Sequence, residues 1–121
     1  MSEQFDSSRP IYAQLVERLK ARILAGTYPP GGHLDSVRDL AAAAGVNPNT
    51  MQRALTELER DGLVYSQRTS GRYVTEDRDV ISAARHALAA GKVRTFLSDM
   101  TALGFEKEEL LSQLRQEMEK E

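Results

Sequence analysis

Residues 36–62 read SVRDLAAAAGVNPNTMQRALTELERDG, and their punctuation decides the fold. Ser36 stands where a helix N-cap belongs, with Asp39 three positions on, and the short apolar run Val37, Leu40, Ala41 and Ala44 stops at Gly45. Val46 is followed by Asn47-Pro48, an Asn N-cap with proline at the first helical position, where its missing N–H costs nothing. The helix that starts there repeats Met51, Ala54, Leu55 and Leu58 on one side and ends at Gly62. Two helices joined by three or four residues with glycine at the joint form a helix-turn-helix pattern.

Upstream, Ile11, Leu15, Leu19 and Ile23 recur every four residues, with Tyr12, Val16 and Leu24 widening the stripe and Glu17, Arg18, Lys20 and Arg22 off it. This predicts an amphipathic helix with Pro10 in its first turn and its end at Gly26. Thr27-Tyr28-Pro29-Pro30-Gly31-Gly32 cannot continue it and reads as a fixed turn. Downstream, Leu63-Val64-Tyr65-Ser66 and Arg72-Tyr73-Val74-Thr75 are β-prone segments around the polar loop Gln67-Arg68-Thr69-Ser70-Gly71, a hairpin or wing. Glu76-Asp77-Arg78-Asp79 breaks the composition. Beyond it Ile81, Ala84, Leu88, Phe96, Met100 and Leu103 follow one drifting stripe with Gly91 in its middle; one long helix with Gly91 near a helix crossing is the favoured reading, and a break in two at Gly91 is the alternative. After Gly104 a second helix, over residues 106–121, carries Leu110, Leu111, Leu114 and Met118. The expected fold is therefore mainly α with a small β-hairpin: a winged helix-turn-helix domain in residues 1–75 and a C-terminal helical tail in residues 76–121.

Composition bounds the function. The 121 residues include no Cys and no Trp, so there is no disulfide framework, thiolate zinc site or thiol nucleophile. His33 and His86 are the only histidines and lie in different segments, so no metal and no cofactor is expected. No phosphate-cradling glycine loop or nucleophile elbow occurs, which argues against an enzyme. The longest apolar run, residues 41–44, is far short of a membrane span, and residues 1–10 lack the pattern of a secretory leader, so a soluble cytoplasmic protein is expected. The net charge of −2 speaks weakly against a nucleic-acid partner. It is unevenly spread, however: residues 1–75 hold nine Lys/Arg and eight Asp/Glu, a net of +1, and residues 76–121 hold seven and ten, a net of −3.

A helix-turn-helix reads DNA with the N-terminal turns of its second helix, which fits the major groove. Asn47, Asn49, Thr50, Gln52 and Arg53 occupy those turns, and none is apolar. Asn and Gln pair with adenine, Arg with guanine, and the Thr methyl meets that of thymine. Asn47 is first an N-cap, so base contact by it is secondary. Arg38 is placed for phosphate or a neighbouring base, and Arg68 and Arg72 flank the wing tip, where phosphate or minor-groove contact is reasonable. The tail stripe of about 25 residues (79–103) spans about 37 Å, longer than a domain this size needs. Ile81, Leu88, Phe96, Met100, Leu103, Leu110 and Leu114 are accordingly expected to bury against a second copy in a two-fold dimer.

The order of segments resembles a known family. Pro10-Ile11-Tyr12 with Gln14-Leu15, residues 26–31 (GTYPPG), residues 34–41 (LDSVRDLA), residues 45–50 (GVNPNT), Ala54-Leu55 with Leu58, Gly62-Leu63-Val64, and Gly71 with Val74 each match the winged helix-turn-helix domain of GntR-family bacterial transcriptional regulators. The short two-helix tail with Leu103-Gly104-Phe105 resembles the YtrA subfamily. The resemblance implies a homodimeric repressor of an inverted-repeat operator, often of its own operon and neighbouring transporter genes. By position it places DNA contacts at Arg38, Asn49, Thr50, Gln52 and the wing around Gly71. Asp35 stands where the family commonly has Pro, Pro48 and Gln52 where Arg or Ser is common, and one glycine of the usual wing pair is missing. Two other readings stay open: a small-molecule sensor whose tail pocket is lined by Phe96, Met100, Leu103 and Phe105, its effector unknown, and a winged-helix protein adaptor without DNA binding.

Overall fold

The computed structural model describes residues 4–121. Five helices and one hairpin follow in order: α1 (Ile11–Leu24), α2 (Val37–Ala44), α3 (Pro48–Arg60), β1 (Val64–Gln67), β2 (Gly71–Val74), α4 (Arg78–Ala102) and α5 (Lys107–Glu119). They divide into two compact units, the first ending at Ala84 and the second Arg85–Glu121.

In the first unit α1 and α2 pack against α3. Leu15, Leu34, Met51, Leu55, Leu58, Leu63 and Val74 form the fully buried centre of one core. Local chemistry starts and stops these helices. The Ser36 hydroxyl accepts a hydrogen bond from the Asp39 N–H (3.1 Å), and the Asn47 carboxamide oxygen accepts one from the Asn49 N–H (2.7 Å). Gly45 turns the chain between α2 and α3 at φ +73°, so the Val46 N–H returns to the Ala41 carbonyl (3.0 Å). Pro10 stands at the N-cap of α1, not in its first turn, because its ψ of 138° is extended. Gln14 is the buried polar residue of α1. Its carboxamide accepts from the Asp6 N–H and donates to the Asp6 and Arg9 carbonyls, which fixes the segment before the helix and satisfies every polar atom that burial removes from water.

The hairpin is antiparallel, with Val64 opposite Val74 and Tyr65 opposite Tyr73. Part of the segment read as a fixed turn is also paired. The Gly31 N–H donates to the Val74 carbonyl, the Val74 N–H to the Gly32 carbonyl, and the Leu34 N–H to the Arg72 carbonyl, each at 2.9 Å. A bridge between His33 and Tyr73 completes this third edge of the wing. α4 runs unbroken through Gly91, and its first two turns belong to the first unit: Ile81 is buried, and Val80 and Ala84 pack on the winged core. In the second unit Leu110 is the buried residue of α5, and the Glu109 carboxylate accepts from the Glu106 N–H at the helix start (3.2 Å).

Candidate nucleic-acid interface

The buried side of α3 is Met51, Ala54, Leu55 and Leu58; its exposed stripe is Asn49, Gln52, Arg53 and Thr56. With 3.6 residues per turn these sets cannot mix, so packing of the first against α1 and α2 turns the second outward. Thr50 is half-buried, and its N–H donates to the Asn47 carbonyl (3.0 Å). Asn47 is exposed, but its side-chain oxygen is engaged as the N-cap. Arg38 is exposed in the first turn of α2.

The structure brings Asn49, Thr50 and Arg53 together with Ile11 and Tyr12 of α1 around a shallow concavity of about 350 Å³. The Arg53 guanidinium lies over the Tyr12 ring, 3.6 Å from its centroid. From the sequence, Tyr12 widens the apolar stripe of α1 and belongs to a family-like segment, with no contact to α3 implied. Its contact with α3 depends on how the two helices cross, for which the sequence carries no local signal.

At the wing, Arg68 is exposed in the turn, whereas Arg72 points back into the protein. Its side chain is only 16% exposed and its guanidinium bonds the Glu59 carboxylate of α3, which also accepts from the Ser66 hydroxyl (2.8 Å). Burial raises the Glu59 pKa, but the Ser66 and Arg72 hydrogen bonds and the Arg72 charge outweigh it and hold the carboxyl below its ordinary value. Gly71 opens β2 at φ +100°, and a Cβ there would stand 3.0 Å from His33 Nε2. That nitrogen is itself 2.5 Å from the Ser70 carbonyl, so the loop before α2 holds the wing turn.

Charge pairing sorts the basic residues. Arg9 pairs with Glu17, Lys20 with Asp61, Arg60 with Glu57 and Arg72 with Glu59. Among the described residues of the first 75, Arg38, Arg53 and Arg68 form no ion pair, and they sit on α2, α3 and the wing turn; Arg78, Arg85, Arg94 and Arg115 of α4 and α5 form none either. No group of His, Asp or Glu among the described residues could hold a metal ion. No described helix is long and apolar enough to cross a membrane.

Residues 11–74 match the sequence pattern of the bacterial regulatory proteins of the gntR family. The chain belongs to the GntR family. Among relatives, it is 36% identical to the HTH-type transcriptional regulator YhcF of Bacillus subtilis over 95% of both chains. It is 34% identical to the HTH-type transcriptional repressor YtrA of the same organism, over 86% of this chain and 81% of that one. The fold resembles a solved GntR-family regulator from Listeria monocytogenes with a TM-score of 0.86 at 40% identity, covering 93% of this chain and 98% of the other. It also resembles the DNA-binding domain of AraR in complex with an operator, with a TM-score of 0.54 at 26% identity over 62% of this chain and 92% of that one. This GntR-family chain is a DNA-binding transcriptional regulator, not an enzyme.

Proposed function

We propose that this regulator is a homodimeric repressor working in the cytoplasm on an inverted-repeat operator, and that its targets are its own operon and neighbouring transporter genes. Residues 1–75 read DNA and residues 76–121 hold the dimer. α3 enters the major groove, where Asn49, Thr50, Gln52 and Arg53 meet base edges and the bordering strand. Arg38 and the wing, through Arg68 and the close backbone approach at Gly71, meet phosphate. Asn47 and Arg72 serve this surface from behind, as helix cap and wing anchor. The observation that carries the reading is the placing of charge within residues 4–75: there Arg38, Arg53 and Arg68 have no acidic partner, and they lie on the three elements that a helix-turn-helix with a wing presents to a duplex. Repression is supported by the YtrA relative, which is named a transcriptional repressor. Dimerisation is supported by large apolar side chains that the second unit leaves exposed, among them Leu97 (43%), Leu103 (72%) and Met118 (67%).

Selection of bound duplexes from a random pool tests this. The expected product is an inverted repeat whose half-site centres lie about 34–36 Å apart, or a multiple of that. The free protein should sediment at twice the 13.5 kDa chain mass. Gln52→Ala should flatten preference at one base pair per half-site, by about tenfold or more. A reporter carrying the selected site should fall in output when the protein is expressed. A rise would make the protein an activator, and recovery of no motif would remove the docking arrangement altogether.

A further inference from the structure

Arg53 lies on the exposed stripe of α3, yet its guanidinium is stacked on Tyr12, a half-buried residue of the first turn of α1. Stacking uses a face of the guanidinium and leaves its N–H donors, which lie in the plane, pointing outward. Among the described residues no carboxylate pairs with Arg53, so these donors keep their charge for something outside the protein. The concavity they border also contains Asn49, Thr50 and Ile11, and Ile11 is 45% exposed despite being apolar. A planar cation, two small polar groups and an exposed aliphatic side chain together fit a nucleotide backbone, with phosphate on the guanidinium and deoxyribose on the isoleucine. The stack draws Arg53 toward α1, to the flank of α3, where a docked duplex presents the strand bordering the groove and not the bases at its floor.

From this we infer that Tyr12 is a positioning residue for DNA binding: it holds the Arg53 guanidinium edge-on to one backbone phosphate beside the bases that Asn49 and Gln52 read. The inference rests on the docking arrangement proposed above. A free arginine side chain must be ordered when it binds, whereas the stack orders it in advance. Tyr12 thereby sets affinity for duplex DNA without altering base preference.

The test uses the full chain and two duplexes of equal length, the selected operator and a mixed-sequence duplex, titrated between about 50 and 200 mM salt. Wild type, Tyr12→Phe, Tyr12→Leu, Tyr12→Ala, Arg53→Ala and the double variant Tyr12→Ala/Arg53→Ala are compared. Arg53→Ala should lower the slope of log affinity against log salt by about 0.9 for each phosphate it leaves unneutralised, on both duplexes. Tyr12→Ala and Tyr12→Leu should weaken both duplexes several-fold, with a lower slope and the same operator-to-mixed ratio. Tyr12→Leu keeps apolar bulk, so it remains informative if Tyr12→Ala unfolds. Tyr12→Phe should behave as wild type, and the double variant should be no weaker than Arg53→Ala alone. Four results would overturn the inference: Tyr12 variants equal to wild type; tighter binding with a steeper slope, meaning that the stack withholds Arg53; Tyr12→Phe as weak as Tyr12→Leu, which would assign the effect to the hydroxyl; or losses that multiply independently in the double variant. A wild-type protein with no salt-sensitive binding to either duplex would instead remove the docking arrangement, and this inference with it.

Discussion

Glu59 joins the recognition helix to the wing: one carboxylate on the last turn of α3 receives both Ser66 of β1 and Arg72 of β2. Its folded pKa lies below the ordinary value, so the pair contributes fully above the usual carboxylate range. That contribution is lost as pH falls through the depressed value. Glu59→Gln keeps the shape and removes the titration. Its melting temperature should therefore fall below wild type at neutral pH and converge with it in acid. Glu59 remains 31% exposed, so solvent screens the pair and the gap should stay within about 1 kcal/mol. Thermal melts of both proteins across pH 3–7 (roughly the span in which a carboxylate titrates) check this, and parallel curves would remove Glu59 from the acid response. From the sequence, Arg72 is expected to make phosphate or minor-groove contact at the wing tip. The pairing was not legible because its members are 13 residues apart, across a chain reversal, and each alone is an ordinary surface charge. Tyr12 escapes for the same reason: both helices are readable, but the crossing that sets Tyr12 against Arg53 is not.

The elements whose ends are set by neighbouring residues were the ones the sequence made plain. Ser36, Gly45, Asn47 and Pro48 start and stop α2 and α3 where their capping chemistry requires, and the apolar spacing of α3 separates its core from its exposed stripe. The edge formed by residues 31–34 was not plain, because it is held by backbone hydrogen bonds that no alternation of side chains announces. Gly91 lies within α4 without breaking it, which decides between the two readings that the drifting apolar stripe leaves open. For the α2–α3 joint the capping geometry supports a definite division of labour. Asn47→Ala should cost about 1 kcal/mol of stability, with Asn47→Asp restoring most of it, since a carboxylate caps equally well. Base preference over the operator should be the same for all three proteins, measured by competition among single-site operator variants. A shifted preference at one base pair would mean that Asn47 reads DNA directly.

At the scale of the whole molecule, charge and apolar surface divide along the chain. The acidic excess lies in residues 76–121, so the sign of the net charge does not describe residues 1–75, which are slightly basic. The tail stripe was legible as an amphipathic pattern. What it faces was not, since spacing marks a side chain as apolar without naming its cover. Ile81 is buried and Leu88 and Met100 are half-buried, while Phe96 (37%), Leu103 and Leu114 (40%) remain exposed. Leu111, Leu114 and Met118, three to four residues apart on α5, line one apolar hollow of about 370 Å³ with Arg115 and Glu119. If that face closes against a second copy, Leu114→Lys with Met118→Lys buries two charges in the dimer and disturbs little in the single chain, where both positions are exposed. The expected outcome is a monomer by sedimentation, with the wild-type helical signal. Affinity for a single half-site should be unchanged, because α3 and the wing are untouched. Affinity for the full operator should fall by about 10²–10⁴, because linkage through the dimer, and not any added interaction, raises the local concentration of the second reading head. A variant that stays dimeric would move the interface away from this face of α5, and a monomer that holds the full operator as tightly as wild type would show that the two half-sites are read without it.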